Sequence, residues 1–174
     1  MSDSSRYALL LRFRDLVTEP GGNIAEHRRI IKQRGYVWWG WWARQREQVP
    51  RKVLDEVFPS ESSPTEIVLF DSGMMRLYLT RASKAVVAPS HLGVNSPDFE
   101  ATPDYYVRGR YPAWFRLESD IVPLDASSAE VVARPTLAET LDVIDHSVAG
   151  ESIDLATLRD EGPTLWVINS IGSK

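Results

Sequence analysis

The sequence predicts an α+β fold, in which a small, curled and mainly antiparallel β-barrel is flanked by two main helices. Residues 24–34 and 134–148 carry apolar side chains at helical spacing. Between and around them lie short runs rich in leucine, aromatic and β-branched residues, each bounded by Gly, Pro, Asp or Ser. Runs of strands with helices outside them favour a sheet that curls on itself rather than a parallel βαβ array.

The N-terminal elements are a strand followed by a helix. Residues 6–13, RYALLLRF, are long enough for a buried strand and too short for a helix. In the helix that follows, Asn23 and Glu26 have the spacing of a capping box, and Gly35 is a typical C-terminal cap. These signals predict a helix over residues 24–34.

In the middle of the chain, the sequence predicts strands and one short helix. Residues 36–42, YVWWGWW, favour a strand, and residues 49–58 favour a short helix that begins near Pro50. Asp71-Ser72-Gly73 is a typical hairpin turn. The strands predicted around this turn and after it cover residues 65–73, 74–82 and 84–90.

The C-terminal half begins with a long loop. Residues 89–104 contain three prolines, and a loop of that length in a compact domain is often functional. Residues 105–124 and 164–170 are predicted strands. Between them, Thr136 and Glu139 form a capping box for the second main helix.

Composition excludes several classes of function. The 174-residue chain has no cysteine, so disulfides and thiolate chemistry are excluded, and a reducing cytoplasm is the expected location. The only apolar run near the N-terminus is too short for a signal peptide or a membrane span. The net charge is −4, with +4 over residues 1–60 and −8 over residues 117–174. This acidic region argues against a protein that coats DNA irrespective of sequence. We expect residues 1–174 to form one domain, alone or as the N-terminal module of a longer protein.

A catalytic set is hard to assemble from this sequence. The three histidines belong to no metal-binding pattern, and no phosphate loop, dinucleotide fingerprint or nucleophile elbow occurs. His27 and His146 are interpreted as structural residues of helices. The sequence therefore favours a non-catalytic domain without cofactor or metal, and an enzyme using Asp71, His91 or Asp104 is a weaker alternative.

Four of the six tryptophans lie between residues 38 and 42, and they are the most informative feature of the chain. Strand alternation puts Trp39 and Trp41 towards a core and Trp38 and Trp42 on the other side. Gly40 then leaves a gap between two indoles, into which a flat ring could stack. The alternative is that all four build a tryptophan-rich core, with Gly40 at a bulge.

A second group of aromatic residues follows the long loop. Tyr105, Tyr106 and Tyr111 stand with Arg108 and Arg110 between them. Arginines interleaved with aromatic rings suit contact with a phosphate or a nucleotide. A half-exposed structural strand is the alternative reading. The candidate ligand-binding residues from both groups are Tyr36, Trp38, Trp39, Trp41, Trp42, Tyr105, Arg108 and Arg110.

The order of these elements resembles the PUA-like superfamily, whose relatives include the EVE, YTH and ASCH domains. The resemblance covers residues 6–122: a strand, a helix, the tryptophan segment, the hairpin IVLFDSGMMRLYLTRASKAVV and then YPAWFRL. It implies a small curled barrel that binds nucleic acid or modified bases, with the tryptophan segment matching the aromatic wall of the family. Bacterial members are often sensor modules joined to an effector domain in defence systems.

Three hypotheses follow. The leading one is a recognition domain that binds a planar, nucleotide-like ligand or a modified nucleic acid, with the base on tryptophans and the phosphate on arginines. The second is a protein-interaction or homo-oligomerisation module that exposes its tryptophans, because tryptophan is common at interface hot spots. The third is an enzyme acting on a nucleotide.

Overall fold

A computed structural model describes residues 7–125, 130–133, 151–152, 154–160 and 162–171. Within these residues it contains nine strands and three α-helices. The strands are β1 Tyr7–Phe13, β2 Val37–Gly40, β3 Thr65–Asp71, β4 Arg76–Val87, β5 Ala113–Leu117, β6 Val122–Leu124, β7 Glu130–Ala133, β8 Glu151–Ser152 and β9 Leu165–Asn169. The helices are α1 Gly22–Arg34, α2 Arg51–Val57 and α3 Leu155–Asp160, with a 3₁₀ turn at Phe99–Ala101.

The strands form one sheet in the order β2-β5-β4-β3-β1-β9-β7-β8, and β6 pairs with β4 beside this path. Only the central pair, β1 with β3, is parallel, and the other ladders are antiparallel. Among the described strands no ladder joins β2 to β8. A closed barrel requires two neighbours for every strand, so the α+β class is confirmed but the predicted curled barrel is matched only loosely.

Strand β1 is buried on both faces. Leu9, Leu11 and Phe13 belong to the larger hydrophobic core with α1, α2 and β2. Ala8 and Leu10 point to a second core on the other face, where Trp166 and Leu158 also lie. A strand covered on both sides has no polar face, which explains the uninterrupted apolar run in this part of the sequence.

Helix α1 begins and ends at glycines. Gly21 precedes the first turn with a φ of 82°, and Gly35 ends the helix with a φ of 84° and donates its N–H to the carbonyl of Ile31 at 2.7 Å. The predicted C-terminal end at Gly35 is confirmed. The predicted capping box at Asn23 is wrong: Asn23 lies inside the first turn, where its side chain bonds two tyrosines instead of the helix backbone.

The segment predicted as two strands, residues 74–82 and 84–90, is the single strand β4. Its ladder with β5 shifts register between Ala82 and Lys84, as a β-bulge does. A bulge bends a strand without ending it, so the chain continues in the sheet where the sequence suggests a break.

Two further differences concern the C-terminal half. Residues 105–111, predicted as strand, form turns that are closed by Tyr106 N–H to Pro103 O at 2.8 Å and Gly109 N–H to Tyr106 O at 2.9 Å. Strand pairing resumes fully at Ala113. The helix predicted over residues 134–148 lies outside the described residues, and α3 was not predicted. In the described part of the chain, no helix is both long and apolar enough to cross a membrane.

Candidate functional site

Seven aromatic side chains meet where α1, β2 and the turns after residue 104 pack together, and Tyr106 lies at their centre. Only 2% of Tyr106 is exposed. The ring centroids are 4.5 Å apart for Tyr105–Tyr106, 5.5 Å for Trp42–Tyr106, 5.7 Å for Tyr106–Tyr111, 5.8 Å for His27–Tyr106, 4.5 Å for His27–Trp39 and 5.0 Å for Tyr111–Trp114. We call these seven residues the aromatic cluster. Most of the contacts are tilted or edge-to-face, which aromatic rings prefer over face-to-face stacking.

Asn23 links α1 to the turn that carries the tyrosines. Its Nδ2 donates to the hydroxyl of Tyr106 at 2.7 Å, and its Oδ1 accepts from the hydroxyl of Tyr105 at 2.7 Å. These two bonds use a donor and an acceptor of the buried amide and fix the positions of both tyrosine rings. Burial raises the pKa of both phenols, so each keeps its proton and remains a hydrogen-bond donor near neutral pH.

His27 lies fully buried between Trp39 and Tyr106. Burial lowers its pKa to about 4, so the imidazole is neutral near pH 7. Its Nδ1 is 2.8 Å from the carbonyl of Asn23, which makes Nδ1 the protonated nitrogen. Nε2 is enclosed, and the backbone of Trp38 also acts on the ring and raises its pKa. The imidazole is therefore a buried, neutral member of the aromatic cluster, held by the backbone of Asn23 and Trp38.

Three members of the aromatic cluster, Trp42, Tyr105 and Tyr111, are only half-buried, and we call them the aromatic edge. The indole N–H of Trp42 is enclosed and interacts with the phenol of Tyr111. Burial raises the pKa of Tyr111, so its hydroxyl also remains a donor. The aromatic edge thus combines accessible ring surface with uncharged hydrogen-bonding groups, a chemistry that suits a planar, polar ring.

The gap predicted at Gly40 is filled by the protein itself. A β-carbon built on Gly40 would lie 3.0 Å from Cδ2 of Tyr111 and 3.2 Å from Cζ3 of Trp114. Gly40 also pairs with Trp114 in the β2–β5 ladder. The glycine therefore permits close packing of two aromatic rings against the strand and leaves no slot there for a ligand.

Three of the four clustered tryptophans are core residues. Trp38, Trp39 and Trp41 are 4%, 2% and 0% exposed. The alternation predicted for this strand therefore holds for Trp39 and Trp41 but not for Trp38, which the Lys84 ammonium covers at 5.9 Å from the ring centroid. Their burial removes these indoles from any surface that a partner chain could contact, so the exposed tryptophan cluster required by the interaction hypothesis is not present.

Tyr36, the other residue predicted from this segment, is engaged on one ring face and at its hydroxyl. Its hydroxyl donates to Oδ2 of Asp98 at 2.5 Å, and the guanidinium of Arg116 lies 4.1 Å from its ring centroid. The hydrogen bond raises the pKa of Tyr36 and lowers the pKa of Asp98. These contacts tie the start of β2 to the loop before the 3₁₀ turn.

The two predicted arginines lie near the aromatic edge in sequence but differ in their contacts. Arg110 donates from Nη2 to the carbonyl of Gly93 at 3.1 Å and so bridges the turn to the long loop. Arg108 is exposed and forms no ion pair with the described residues. Arg110 is exposed as well, so both arginines can meet an anion, Arg110 with the N–H groups that Gly93 does not use.

The three residues of the enzyme hypothesis have separate environments. Asp71 is buried at the end of β3, where Oδ1 accepts the N–H groups of Gly73 at 2.9 Å and Met74 at 3.1 Å, as expected for a hairpin turn. Burial raises its pKa. His91 and Asp104 are exposed. In the described residues, no group of three His, Cys, Asp or Glu side chains could hold a metal ion.

Comparison with known families gives a match that is consistent with the fold. A family model described as Pua-like matches residues 9–174, nearly the whole chain. The chain belongs to the Pua-like family. The match extends the resemblance seen over residues 6–122 through the C-terminal region that contains β9. No curated protein and no solved structure matches this Pua-like chain.

Sequence reasoning missed several residues of this site. The sequence predicts a cap at Asn23 and a structural helix residue at His27, but both side chains point into the aromatic cluster. Their spacing of four residues is the available signal, because residues four apart lie on one helix face. Ile24 and Ile30 mark that face as buried, and polar residues on a buried face are expected to have specific partners.

Proposed function

We propose that this Pua-like chain is a non-catalytic recognition domain that binds a planar, nucleotide-derived ligand at the aromatic edge. The half-buried indole of Trp42, which packs edge-to-face on Tyr106 and borders Tyr111, is the observation that carries the proposal. A base that stacks on an aromatic side chain gains roughly 1–3 kcal/mol. PUA-like relatives with this order of elements bind nucleic acid or modified bases, which supports the same class of ligand here.

The predicted site residues take different roles in this proposal. Trp42 and Tyr105 contact the base, and Arg108 with Arg110 contacts the phosphate. The buried residues Trp38, Trp39 and Trp41, with Tyr36 at the start of the strand, hold the wall behind the aromatic edge. A supporting shell of this kind keeps the contacting groups in place.

His27 makes no ligand contact in this proposal. It is fully buried, so it supports the aromatic edge from behind by packing on Trp39 and Tyr106.

The experiment is a titration with nucleosides, nucleoside monophosphates and their methylated forms, followed by tryptophan fluorescence. We expect Trp42→Ala to weaken binding by about 5- to 100-fold, which corresponds to the loss of one stacking contact. Trp42→Phe keeps a ring but removes the N–H, so an intermediate loss is expected. Trp166→Phe is the control, since that indole lies in the core on the opposite face.

Two results would contradict the proposal. One is the absence of any fluorescence change with the whole panel of nucleosides and nucleotides. The other is a loss of affinity in Trp166→Phe equal to that in Trp42→Ala. The proposal also includes a sensor role beside an effector domain, and sequencing the gene on both sides of residues 1–174 tests that part.

A further inference from the structure

The aromatic edge has groups of opposite charge next to two of its rings. Tyr111 directly follows the exposed Arg110 in the chain. Tyr105 is joined to α1 through Asn23, and the loop that leads into this helix contains the half-buried carboxylate Asp15. One ring of the edge therefore has an arginine beside it, and another has a carboxylate nearby.

Asp15 is held in place within the loop between β1 and α1. Its Oδ2 accepts the N–H of Gly21 at 2.7 Å, and its Oδ1 accepts the hydroxyl of Thr18 at 3.3 Å. Gly21 directly precedes α1, and Asn23 in the first turn bonds the hydroxyl of Tyr105 at 2.7 Å. A carboxylate has about four lone-pair positions, so Asp15 can accept further contacts from a ligand.

The negative charge of Asp15 reaches the tyrosines of the aromatic cluster. Burial raises the pKa of Tyr105 and of Tyr106, and Asp15 is among the groups that raise the pKa of both phenols further. A nearby group that makes a phenol harder to ionise favours a positive charge at the same place. Asp15 is therefore close enough to act on a cationic ring at the aromatic edge.

Glu26 also acts on Tyr105, but its charge is compensated. Its effect on the phenol is larger than that of Asp15, yet the carboxylate pairs with Arg29 at an N–O distance of 2.6 Å. Asp15 has no ion pair with any residue that the structure describes. Of the two carboxylates that act on this ring, Asp15 is the one whose charge remains for a ligand.

The cation that is nearest to Asp15 in sequence lies against another part of the fold. Arg14 precedes Asp15, but its Cγ and Nε are 3.3 and 3.6 Å from a β-carbon built on Gly73 in the hairpin turn. The aliphatic part of this side chain thus packs on the turn after β3. The loop therefore presents Asp15 to the aromatic edge without pairing it to its neighbour.

This arrangement fits a nucleotide that carries charges of both signs. The accessible rings of Trp42 and Tyr105 attract a cation, because the faces of aromatic rings are negative. Asp15 adds a carboxylate near one of these rings, while Arg108 and Arg110 are exposed to a phosphate. A neutral ring would stack on the edge but gain no charge attraction from Asp15. Charge therefore distinguishes the two kinds of ring.

We propose that the aromatic edge selects a nucleotide whose ring carries a positive charge, as a pyridinium does, and that Asp15 is the residue responsible for this selection. The inference rests on the proposed function for the position of the ring, and it deepens that function by naming the kind of ring. It involves no reaction, because the protein binds the cation without changing it.

The test compares the oxidised and reduced forms of nicotinamide mononucleotide by isothermal titration calorimetry near neutral pH. The two forms share the phosphate and nearly the same shape, but the oxidised ring is a cation and the reduced ring is neutral. We expect the oxidised form to bind at least about tenfold more tightly, because the ring faces and the carboxylate both attract it. Choline, a cation without a flat ring, should bind at least about tenfold more weakly than the oxidised form.

Asp15→Asn keeps an oxygen that can accept the Gly21 N–H and removes the charge. We expect the preference for the oxidised form to fall to about threefold or less, while affinity for the reduced form stays within about twofold. Asp55→Asn is the matched control, since it removes the same charge from an exposed position of α2 and should keep the full preference. Thermal melts, together with unchanged binding of the reduced form, show that the site is folded in both variants.

Equal or tighter binding of the reduced form overturns the inference, and so does a preference that survives in Asp15→Asn or is lost equally in Asp55→Asn. Choline binding as tight as that of the oxidised nucleotide overturns the assignment to a flat ring. In these cases the proposed function still holds if Trp42→Ala weakens binding of the reduced form. If neither form binds although neutral nucleosides do, the inference alone fails, and if no nucleoside or nucleotide binds, both fail.

Discussion

The tryptophan segment, residues 38–42, serves both the core and the candidate site. Trp38 and Trp39, before Gly40, belong to the core, whereas Trp42, at the end of the segment, is accessible. Trp38 and Trp39 lie in β2, where pairing with β5 and cover on both faces leave them at most 4% exposed. Trp42 lies just past the strand, where the chain has left the sheet and one side of its ring is open. Trp41 also lies past the strand, but it is fully buried and donates its indole N–H to Thr164. Tertiary contacts, and not residue type, therefore separate the wall of the site from its edge.

The largest effect is expected from Trp39→Ala. Trp39 is 2% exposed and packs on Phe13 and His27, with ring centroids 5.0 Å and 4.5 Å away. Removing so large a buried ring leaves a cavity and should lower the free energy of unfolding by about 3–5 kcal/mol. Urea denaturation at pH 7 measures it. A loss below about 1 kcal/mol would place Trp39 at the edge and break the comparison.

The second prediction concerns pH. His27 has a pKa of about 4 in the fold, below the value of about 6.5 expected when unfolded. Between these values the unfolded chain binds a proton that the folded chain does not, so stability falls as pH decreases from about 6.5 to about 4. The contribution over the whole window is about 3 kcal/mol.

His27→Gln isolates this contribution, because other groups also titrate in this range. Urea unfolding at pH 7 and at pH 4.5 is compared for both proteins. We expect the loss on acidification to be about 2–3 kcal/mol smaller in the variant. An identical acid loss in the two proteins would mean that the imidazole is not buried in neutral form behind the aromatic edge.

Gly40→Val probes the boundary between wall and edge. The new side chain favours a strand but meets Tyr111 and Trp114 at 3.0–3.2 Å, so overpacking should cost roughly 1–3 kcal/mol. Thermal and urea unfolding measure the cost. Tyr111→Ala supplies the matched background: removing the facing ring should reduce the cost of Gly40→Val. Equal costs in both backgrounds would show that Tyr111 does not fill this gap.

The smallest change in stability is expected at the edge itself. Trp42→Ala removes a half-buried ring and should cost less than Trp39→Ala by at least about 2 kcal/mol, while ligand affinity falls by about 1–3 kcal/mol. The free energy of unfolding and the nucleotide affinity are measured for both Trp42→Ala and Trp39→Ala. Equal destabilisation by the two substitutions would assign Trp42 to the core.

The sequence by itself determined the α+β class, α1 with its end at Gly35, the strands β1, β2, β3 and β9, and the concentration of aromatic residues at the candidate site. These follow from local rules: spacing of apolar residues, glycine at a left-handed position, and β-branched or aromatic runs. Trp114 and Trp166, which lie in predicted strands, are both buried.

Only the tertiary structure decided which aromatic residues are accessible. Alternation along a strand predicts one open face, but β2 is covered on both, and the gap at Gly40 is occupied by Tyr111 from 71 residues further along the chain. Likewise, local spacing predicts that Asn23 caps the helix, but its side chain bonds Tyr105 and Tyr106 instead, because these distant contacts pair buried polar groups. Contacts between residues far apart in sequence leave no periodic pattern, so packing alone fixes them.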